Sequence, residues 1–458
     1  MEDMKNGKRS SFSGKLGYVL AAAGASVGLG NIWRFPYLAA KYGGGIFLII
    51  YIVLALTFGY TMIVAETAIG RMTRKSPVGA FKSFGKKKWL SFGGWINAVI
   101  PVLIVPYYSV IGGWVIKYLV EYFRGNAKLL AEDGYFTDFI SNGVSTELCF
   151  VAFCAFTLII IFAGVQNGIE RVSKIMMPIL IVLSVIIAVY SVTRPGAFAG
   201  VKYFLVPNVN NFSWMTVVAA MGQMFYSLSI AMGILITFGS YMKKDTAIED
   251  STRNVEIFDT GIAIMAGLMI IPAVFAFSGG DPDTLQAGPS LMFITIPKVF
   301  QNMGFGTVIG IVFFLLVLFA AVTSSIALTE SAVSTFEDEL GWGRKKATVL
   351  VGVIMLALGS LSSLGYGPLA GIKIIGMQFL DLFDFLTNSV MMPVAALLTS
   401  LLVSRVVGID KIEEEIIHGE SAFRRKKVFV VMIKYLCPVF AIIILLSSVA
   451  NALGWIKM

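Results

Sequence analysis

The groups in this chain that could do chemistry sit where an unbroken helix would be expected. Residues Gly24–Pro36 read GASVGLGNIWRFP and fall inside an apolar segment, 16–40, long enough to cross a bilayer. Gly24, Gly28 and Gly30 permit unwound backbone there, followed by Asn31, Arg34 and Pro36. Unwound backbone persists at membrane depth only where it is buried in protein or lines a cavity. Its free carbonyls can hold a cation, and amides exposed at a half-helix N-terminus can hold a carboxylate. Gly24-x-x-x-Gly28 is equally the small-residue face by which membrane helices pack, so this segment alone allows either reading. A second interruption, Gln223–Gly233, carries Ser227 and Ser229; serines there can face a site or bond back to their own helix. Glu66 places a carboxylate inside another apolar segment, where an ionisable group is functional by default.

A membrane bundle must position these groups. Hydrophobic residues make up 57% of the chain, charged residues 14%, and the mean hydropathy is +0.83. A water-soluble protein could not cover that much apolar surface. Runs of spanning length fall at 16–40, 44–70, 92–122, 148–165, 169–192, 214–241, 257–279, 307–335, 346–364, 374–404 and 428–455, which predicts eleven helices in a lipid bilayer. The net charge of +9 does not point to nucleic acid, because the basic residues gather on one side. Arg71, Arg74, Lys75, Lys82 and Lys86–Lys88 share one loop, the asymmetry of the positive-inside rule. It predicts a multi-pass protein of the cell inner (plasma) membrane with its N-terminus cytoplasmic and, after eleven spans, its C-terminus outside. Basic residues before Ala21–Ala25 also resemble a cleaved signal peptide, but the glycine-rich half and Trp33–Pro36 continue past any such cut.

Cys149, Cys154 and Cys437 lie in predicted spans and form neither a disulfide framework nor a metal motif. His418 falls in a charged inner loop. Nothing resembles a nucleophile–base pair or a nucleotide loop, so no enzyme is expected. With no long linker, 1–458 reads as one membrane domain. Spans one and six hold the two interruptions, and they correspond if spans 1–5 repeat as 6–10 with opposite topology, approximately 14–195 and 212–405. The expected fold is therefore an all-α integral membrane protein, a 5+5 inverted repeat with discontinuous helices 1 and 6, plus a further helix at about 428–455.

Five ordered motifs add a specific resemblance. GLGNIWRFPY (Gly28–Tyr37), KYGGGIF (Lys41–Phe47), GQMFYSLS in span six, AGPSLMFITIP (Ala287–Pro297) and TSSIALTESAVSTFEDEL (Thr323–Leu340) resemble the neurotransmitter:sodium symporter family. The likeness is to its bacterial amino-acid transporter branch, which has the leucine-transporter-like fold and often lacks a twelfth helix. It implies sodium-coupled symport of neutral hydrophobic or aromatic amino acids into the cell by alternating access, with two sodium sites. For the first ion it implies the Ser26 carbonyl, the Asn31 side chain, the Ser227 carbonyl and hydroxyl, and Asp259, completed by the substrate's own carboxylate. For the second it implies the Gly24, Val27 and Ala320 carbonyls with the Thr323 and Ser324 hydroxyls. A proton-coupled carrier of this fold would lack those two hydroxyls, and a fold-keeping receptor would not need them.

Asp259 departs from the asparagine common in the family, while Ala263, one turn on, matches a position linked with chloride; a one-turn shift would exchange the two. Either alignment puts fixed negative charge beside the first ion and implies no chloride requirement, with Asp259 protonated on the inward return. A carboxylate snorkelling to the cytoplasmic edge is the alternative. For the substrate, the resemblance implies Leu29 and Gly30 amides with Tyr108 on the carboxylate, and carbonyls near Ser26 and Tyr226–Ser229 on the ammonium. Gly28 stands where monoamine carriers have an aspartate, so the substrate should bring its own carboxylate. Ile104, Tyr108, Tyr226, Ser229, Met232 and Leu328 are implied around the side chain. Arg34 and Asp384 resemble the outer gate pair, with Phe225 or, by the count, Tyr226 as the lid. Arg9 and Asp338 resemble the inner pair, and Phe12 replaces a usual tryptophan. Glu66 is expected to bond both broken backbones. Gly168 and Pro178 reproduce a spacing that either unwinds span five or merely kinks it.

Overall fold

The computed structural model describes residues 9–279, 288–452 and 455; Ala287 of the outer-loop motif lies outside them. Among the described residues there is no strand, only two isolated bridges, Gly44 with Pro207 and Ile374 with Met377. All eleven apolar segments are helical, in two different ways. Among the described residues nine are long and apolar enough to cross a membrane by themselves, and a bent pair makes a tenth. That pair is α1 (Lys15–Ser26) and α2 (Gly30–Lys41), meeting at 52°. Next come α3 (Gly45–Thr73), α4 (Lys88–Phe123), α5 (Gly143–Phe162) and α6 (Val165–Val192). The segment expected at 214–241 is two pieces, α7 (Trp214–Ser227) and α8 (Ile234–Tyr241), each too short to span alone. After them run α9 (Ile248–Ser278), α10 (Gly306–Leu340), α11 (Arg344–Leu364), α12 (Phe379–Val407), α13 (Ile409–Ile417) and α14 (Lys426–Asn451).

The breaks follow from local backbone chemistry. α1 stops because Val27 turns to extended backbone, and the chain re-enters helix at Gly30 through a wider π turn, Gly30–Arg34. Between α7 and α8, Ser229, Ala231 and Gly233 take φ of 51°, 59° and 70°. For Ser229 and Ala231 that left-handed backbone costs roughly 1–2 kcal/mol each, so neighbouring contacts must hold it. Elsewhere the ends shift by a few residues. α5 begins at Gly143 rather than 148 because the Asn142 side chain accepts the Ser145 N–H at 3.1 Å, and it stops before Gly164, whose φ is 90°. α12 begins at Phe379 rather than 374, since Ile375 and Gly376 turn the chain at φ 54° and 76°.

Two packing features set the site's position. Buried side chains wrap α1, α3, α7, α8 and α10, whereas Ile175, Ile179, Val182 and Ile186 of α6 form an exposed apolar stripe at helical spacing, as a lipid-facing side requires. α3 and α8 also meet backbone to backbone. A Cβ on Gly70 would lie 2.0 Å from the Ile236 carbonyl, and one on Gly239 would lie 2.4 Å from that of Thr67. Neither contact can yield by rotating a side chain. Gly239→Val should therefore lower the thermal midpoint of the detergent-purified protein by the equivalent of about 1–3 kcal/mol or more. Gly261→Val, where a Cβ meets nothing within 4 Å, should leave that midpoint nearly unchanged.

Candidate functional site

The two breaks face each other and are sewn together by side chains. Ser26 Oγ donates to the Leu228 carbonyl at 3.3 Å, and Ser229 Oγ donates to the Ala25 carbonyl at 2.9 Å. Gln223 Nε2 donates to the Gly30 carbonyl at 3.0 Å. Glu66, fully buried on α3, accepts the Ala231 N–H at 2.7 Å through Oε1. Glu66 thus holds the α7–α8 break; among the described residues no bond joins it to the α1–α2 break, and its Oε2 has no partner. These bonds satisfy groups that unwinding would otherwise leave bare, at a cost of about 1–3 kcal/mol each.

At one edge of this seam lies Asp259, fully buried on α9. Its Oδ1 accepts from Asn31 Nδ2 and Ser227 Oγ, both at 2.8 Å, and its Oδ2 accepts from the Tyr51 hydroxyl at 2.9 Å. Asn31 Oδ1 in turn accepts the Gly28 N–H at 3.2 Å, and Tyr51 lies 3.0 Å from Ser227 Oγ. Four helices, α2, α3, α7 and α9, converge on one carboxylate. Asp259, rather than Ala263, meets Asn31 and Ser227. Among the described residues no Lys or Arg pairs with it, although a buried charge ordinarily needs a counter-charge. Oxygen-rich and net negative, this cluster suits a small hard cation.

The second cluster lies between α1 and α10. Ser324 Oγ donates to the Gly24 and Ala25 carbonyls at 3.3 and 3.1 Å. Thr323 Oγ1 donates to the Phe319 and Ala320 carbonyls at 3.0 and 3.2 Å. A Cβ on Gly24 would stand 3.1 Å from that of Thr323, so glycine brings the helices close. Of the five oxygens expected here, those of Gly24, Ala320, Thr323 and Ser324 are thereby drawn together; Val27 is buried beside Ser26.

Between the clusters is a narrow cavity of about 30 Å³ lined by Ala25, Ser26, Gly28, Leu29, Gly30, Asn31, Ile104, Tyr108, Tyr226, Ser229, Met232, Ser324 and Leu328. None of these carries a charge. The Leu29 N–H donates to the Tyr108 hydroxyl at 3.3 Å. A Cβ on Gly28 would meet Ser324 Oγ at 2.6 Å and the Tyr108 hydroxyl at 3.1 Å, and one on Gly30 would meet the Tyr226 ring at 2.3 Å. Of the expected substrate contacts, Phe225 and Ser227 do not line this cavity. Phe225 packs on Phe58 with ring centroids 4.9 Å apart, and Ser227 serves Asp259.

A larger cavity of about 700 Å³ shares Tyr226 with the narrow one. Arg34 stacks its guanidinium 5.2 Å from the Tyr226 ring centroid. Asp384 accepts from the Tyr107 hydroxyl at 3.2 Å and Asn388 Nδ2 at 2.5 Å; Arg34 and Asp384 both line this space without forming an ion pair. The pair expected at the inner side is joined. Arg9 pairs with Asp338 and donates to Ser334 Oγ at 2.7 Å and Ser240 Oγ at 3.0 Å. Phe12 is buried edge-on to Tyr18, Phe238 and Tyr241, so three rings surround the position of the usual tryptophan. Sequence reasoning missed Tyr51, Gln223, Ser240 and Ser334. Tyr51 and Gln223 carried a signal, since a hydroxyl or amide inside an apolar span must find a partner.

Residues 9–137 and 134–455 match the sodium:neurotransmitter symporter family. The chain is 34% identical to an uncharacterized sodium-dependent transporter of Bacillus subtilis over 97% of its own length and 99% of that protein's. It is 31% identical to an uncharacterized sodium-dependent transporter of Haemophilus influenzae, again over 97% and 99%. The crystal structure of MhsT in complex with L-phenylalanine superposes with a TM-score of 0.86 at 34% identity, covering 96% of this chain and 100% of that one.

Tyr51→Phe keeps the ring but leaves Asp259 Oδ2 without its donor. Loss of a bond to a charged acceptor should destabilise the protein by about 1.5–3 kcal/mol, read as a lowered thermal midpoint. An unchanged midpoint would mean that Tyr51 does not support the carboxylate.

Proposed function

This chain belongs to the sodium:neurotransmitter symporter family and is a multi-pass, sodium-dependent membrane transporter, not an enzyme; within that family we propose that it imports neutral hydrophobic or aromatic amino acids. The observation that carries this reading is the uncharged cavity wedged into the seam of two helix breaks. Backbone amides at Leu29 and Gly30 and the Tyr108 hydroxyl suit an α-carboxylate, and carbonyls at the breaks suit an α-ammonium. Ile104, Met232 and Leu328 suit an apolar side chain, and methionine adapts to several shapes. MhsT, crystallised with L-phenylalanine, supports the same substrate class.

Two sodium sites flank the substrate in this proposal. The first takes Asp259, Asn31, Ser227 and the Ser26 carbonyl, with the substrate carboxylate as a shared ligand. The second takes the Gly24, Val27 and Ala320 carbonyls with Thr323 and Ser324. Sharing one carboxylate makes each partner improve the other's site, which is the coupling itself. Asp259 supplies the negative charge that a bound chloride would otherwise supply, so transport needs no chloride. Protonation of Asp259 accompanies the inward return.

Transport proceeds by alternating access. Helices α1, α2, α3, α7, α8 and α9 rock against the remainder, and the halves 14–195 and 212–405 act as inverted repeats. Arg34 and Asp384 close the outer side over Tyr226; Arg9 and Asp338 close the inner. The protein sits in the cell inner membrane with its N-terminus cytoplasmic, its C-terminus outside and, counting the α7–α8 pair as one, eleven spans. Each positive charge carried inward gains about 2.3 kcal/mol per 100 mV, ample to concentrate a neutral substrate.

The test is uptake of radiolabelled phenylalanine, tryptophan and leucine into proteoliposomes. Uptake should require sodium over potassium, persist when gluconate replaces chloride, and be lost in Thr323→Ala. Sodium-indifferent uptake would overturn the coupling, and a strict chloride requirement would overturn the role of Asp259.

A further inference from the structure

The cytoplasmic half-helix α1 is held by a second fastening, separate from the Arg9–Asp338 pair. Glu170 ends the π-helical turn Val165–Glu170 that opens α6, and it is buried. Its Oε2 accepts the Ser13 N–H at 2.8 Å, Ser13 Oγ donates to its Oε1, and Lys174 Nζ lies 2.6 Å from Oε1. The Ser13 carbonyl accepts from Lys243 Nζ at 2.8 Å, and the Ser11 carbonyl accepts from Gln166 Nε2 at 2.7 Å. Gly14, the residue at the α1 N-cap, offers no side-chain cap, so a carboxylate at the first turn complements its exposed amides.

Two glycines put α1 flush on α6 in matched register. A Cβ on Gly17 would meet the Glu170 carboxyl carbon at 2.4 Å, and one on Gly24 would meet Met177 Sδ at 3.5 Å. The second pair lies seven residues, about two helical turns, beyond the first on both helices, so α1 and α6 approach closely both at Gly17 and beside the Gly24–Thr323 oxygen cluster. Glu170 thus ties Ser13, at the entry to α1, to α6.

We propose that Glu170 is a positioning residue for transport: its carboxylate latches Ser13, at the entry to α1, to α6, and release of that latch opens the cytoplasmic path from the Gly24–Thr323 cluster. The inference rests on the sodium reading of that cluster and is independent of the substrate's identity. Two fastenings then divide the work. Arg9 ties the N-terminal segment to α10, and Glu170 ties α1 to α6 beside the Gly168 turn, where α6 is already irregular.

The test uses the full chain with Cys149, Cys154 and Cys437 changed to Ser and a reporter thiol at Met177→Cys, buried in the α1–α6 contact. Its labelling by a membrane-impermeant maleimide in proteoliposomes opened at the cytoplasmic face reads the path directly. In potassium, Glu170→Gln should speed labelling by about tenfold, the scale of losing charge-assisted bonds, and sodium should suppress that gain. Gly17→Ala, which pushes the carboxylate aside while keeping its charge, should act in the same direction and serves if the first variant folds poorly. A control thiol at Met355→Cys, buried on α11, should stay slow in every background. Equal labelling of Met177→Cys with and without Glu170 would overturn the latch, as would a matching rise at Met355→Cys. Failure of amino-acid uptake would leave this readout untouched.

Discussion

Everything in this protein depends on one constraint: two unwound stretches of backbone sit inside a membrane, where no solvent can satisfy their polar groups. A continuous helix closes its own hydrogen bonds, and a broken one must borrow them. Here the lenders are Ser26, Ser229, Gln223 and Glu66, each bonding to backbone at or beside a break. The arrangement is therefore neither a packing defect nor a floppy loop. It leaves a limited set of oxygens and amides unspent, in fixed positions around a small space.

What that space can bind follows from which charges surround it. One carboxylate, Asp259, is enclosed by the neutral donors of Asn31, Ser227 and Tyr51, and the opposite oxygen cluster holds only hydroxyls and carbonyls. Cations are welcome at both ends and a zwitterion suits the middle. The two pairs expected to act as gates differ: Arg9 and Asp338 are joined with aromatic rings beside them, whereas Arg34 and Asp384 line a large cavity beside Tyr226 without pairing.

Much of this was legible in the sequence, for identifiable reasons. Membrane spans announce themselves by length and apolarity, and glycine clusters inside them announce breaks, so the α1–α2 and α7–α8 interruptions could be placed within a few residues. The uncharged lining also followed, because Gly28, Ile104, Met232 and Leu328 are read directly once the motifs are aligned. Partners across space were less accessible. That Glu66 would bond one break rather than two, that Phe225 would turn to Phe58, and that Tyr51 would complete the Asp259 cluster all depend on helix rotation. Rotation is set by packing among many helices, and apolar spans give little amphipathic pattern to read it from. Glu170, at the very start of the span at 169–192, drew no reading because its partner Ser13 lies on a distant stretch of chain.

The central claim is that cation and substrate share a site and therefore strengthen each other. Equilibrium binding of radiolabelled sodium to the purified protein, with and without phenylalanine, and of radiolabelled phenylalanine across sodium concentrations, tests it most directly. The account predicts that each raises the other's affinity by the same factor, about fivefold or more. Sodium binding indifferent to phenylalanine, with phenylalanine binding indifferent to sodium, would contradict it.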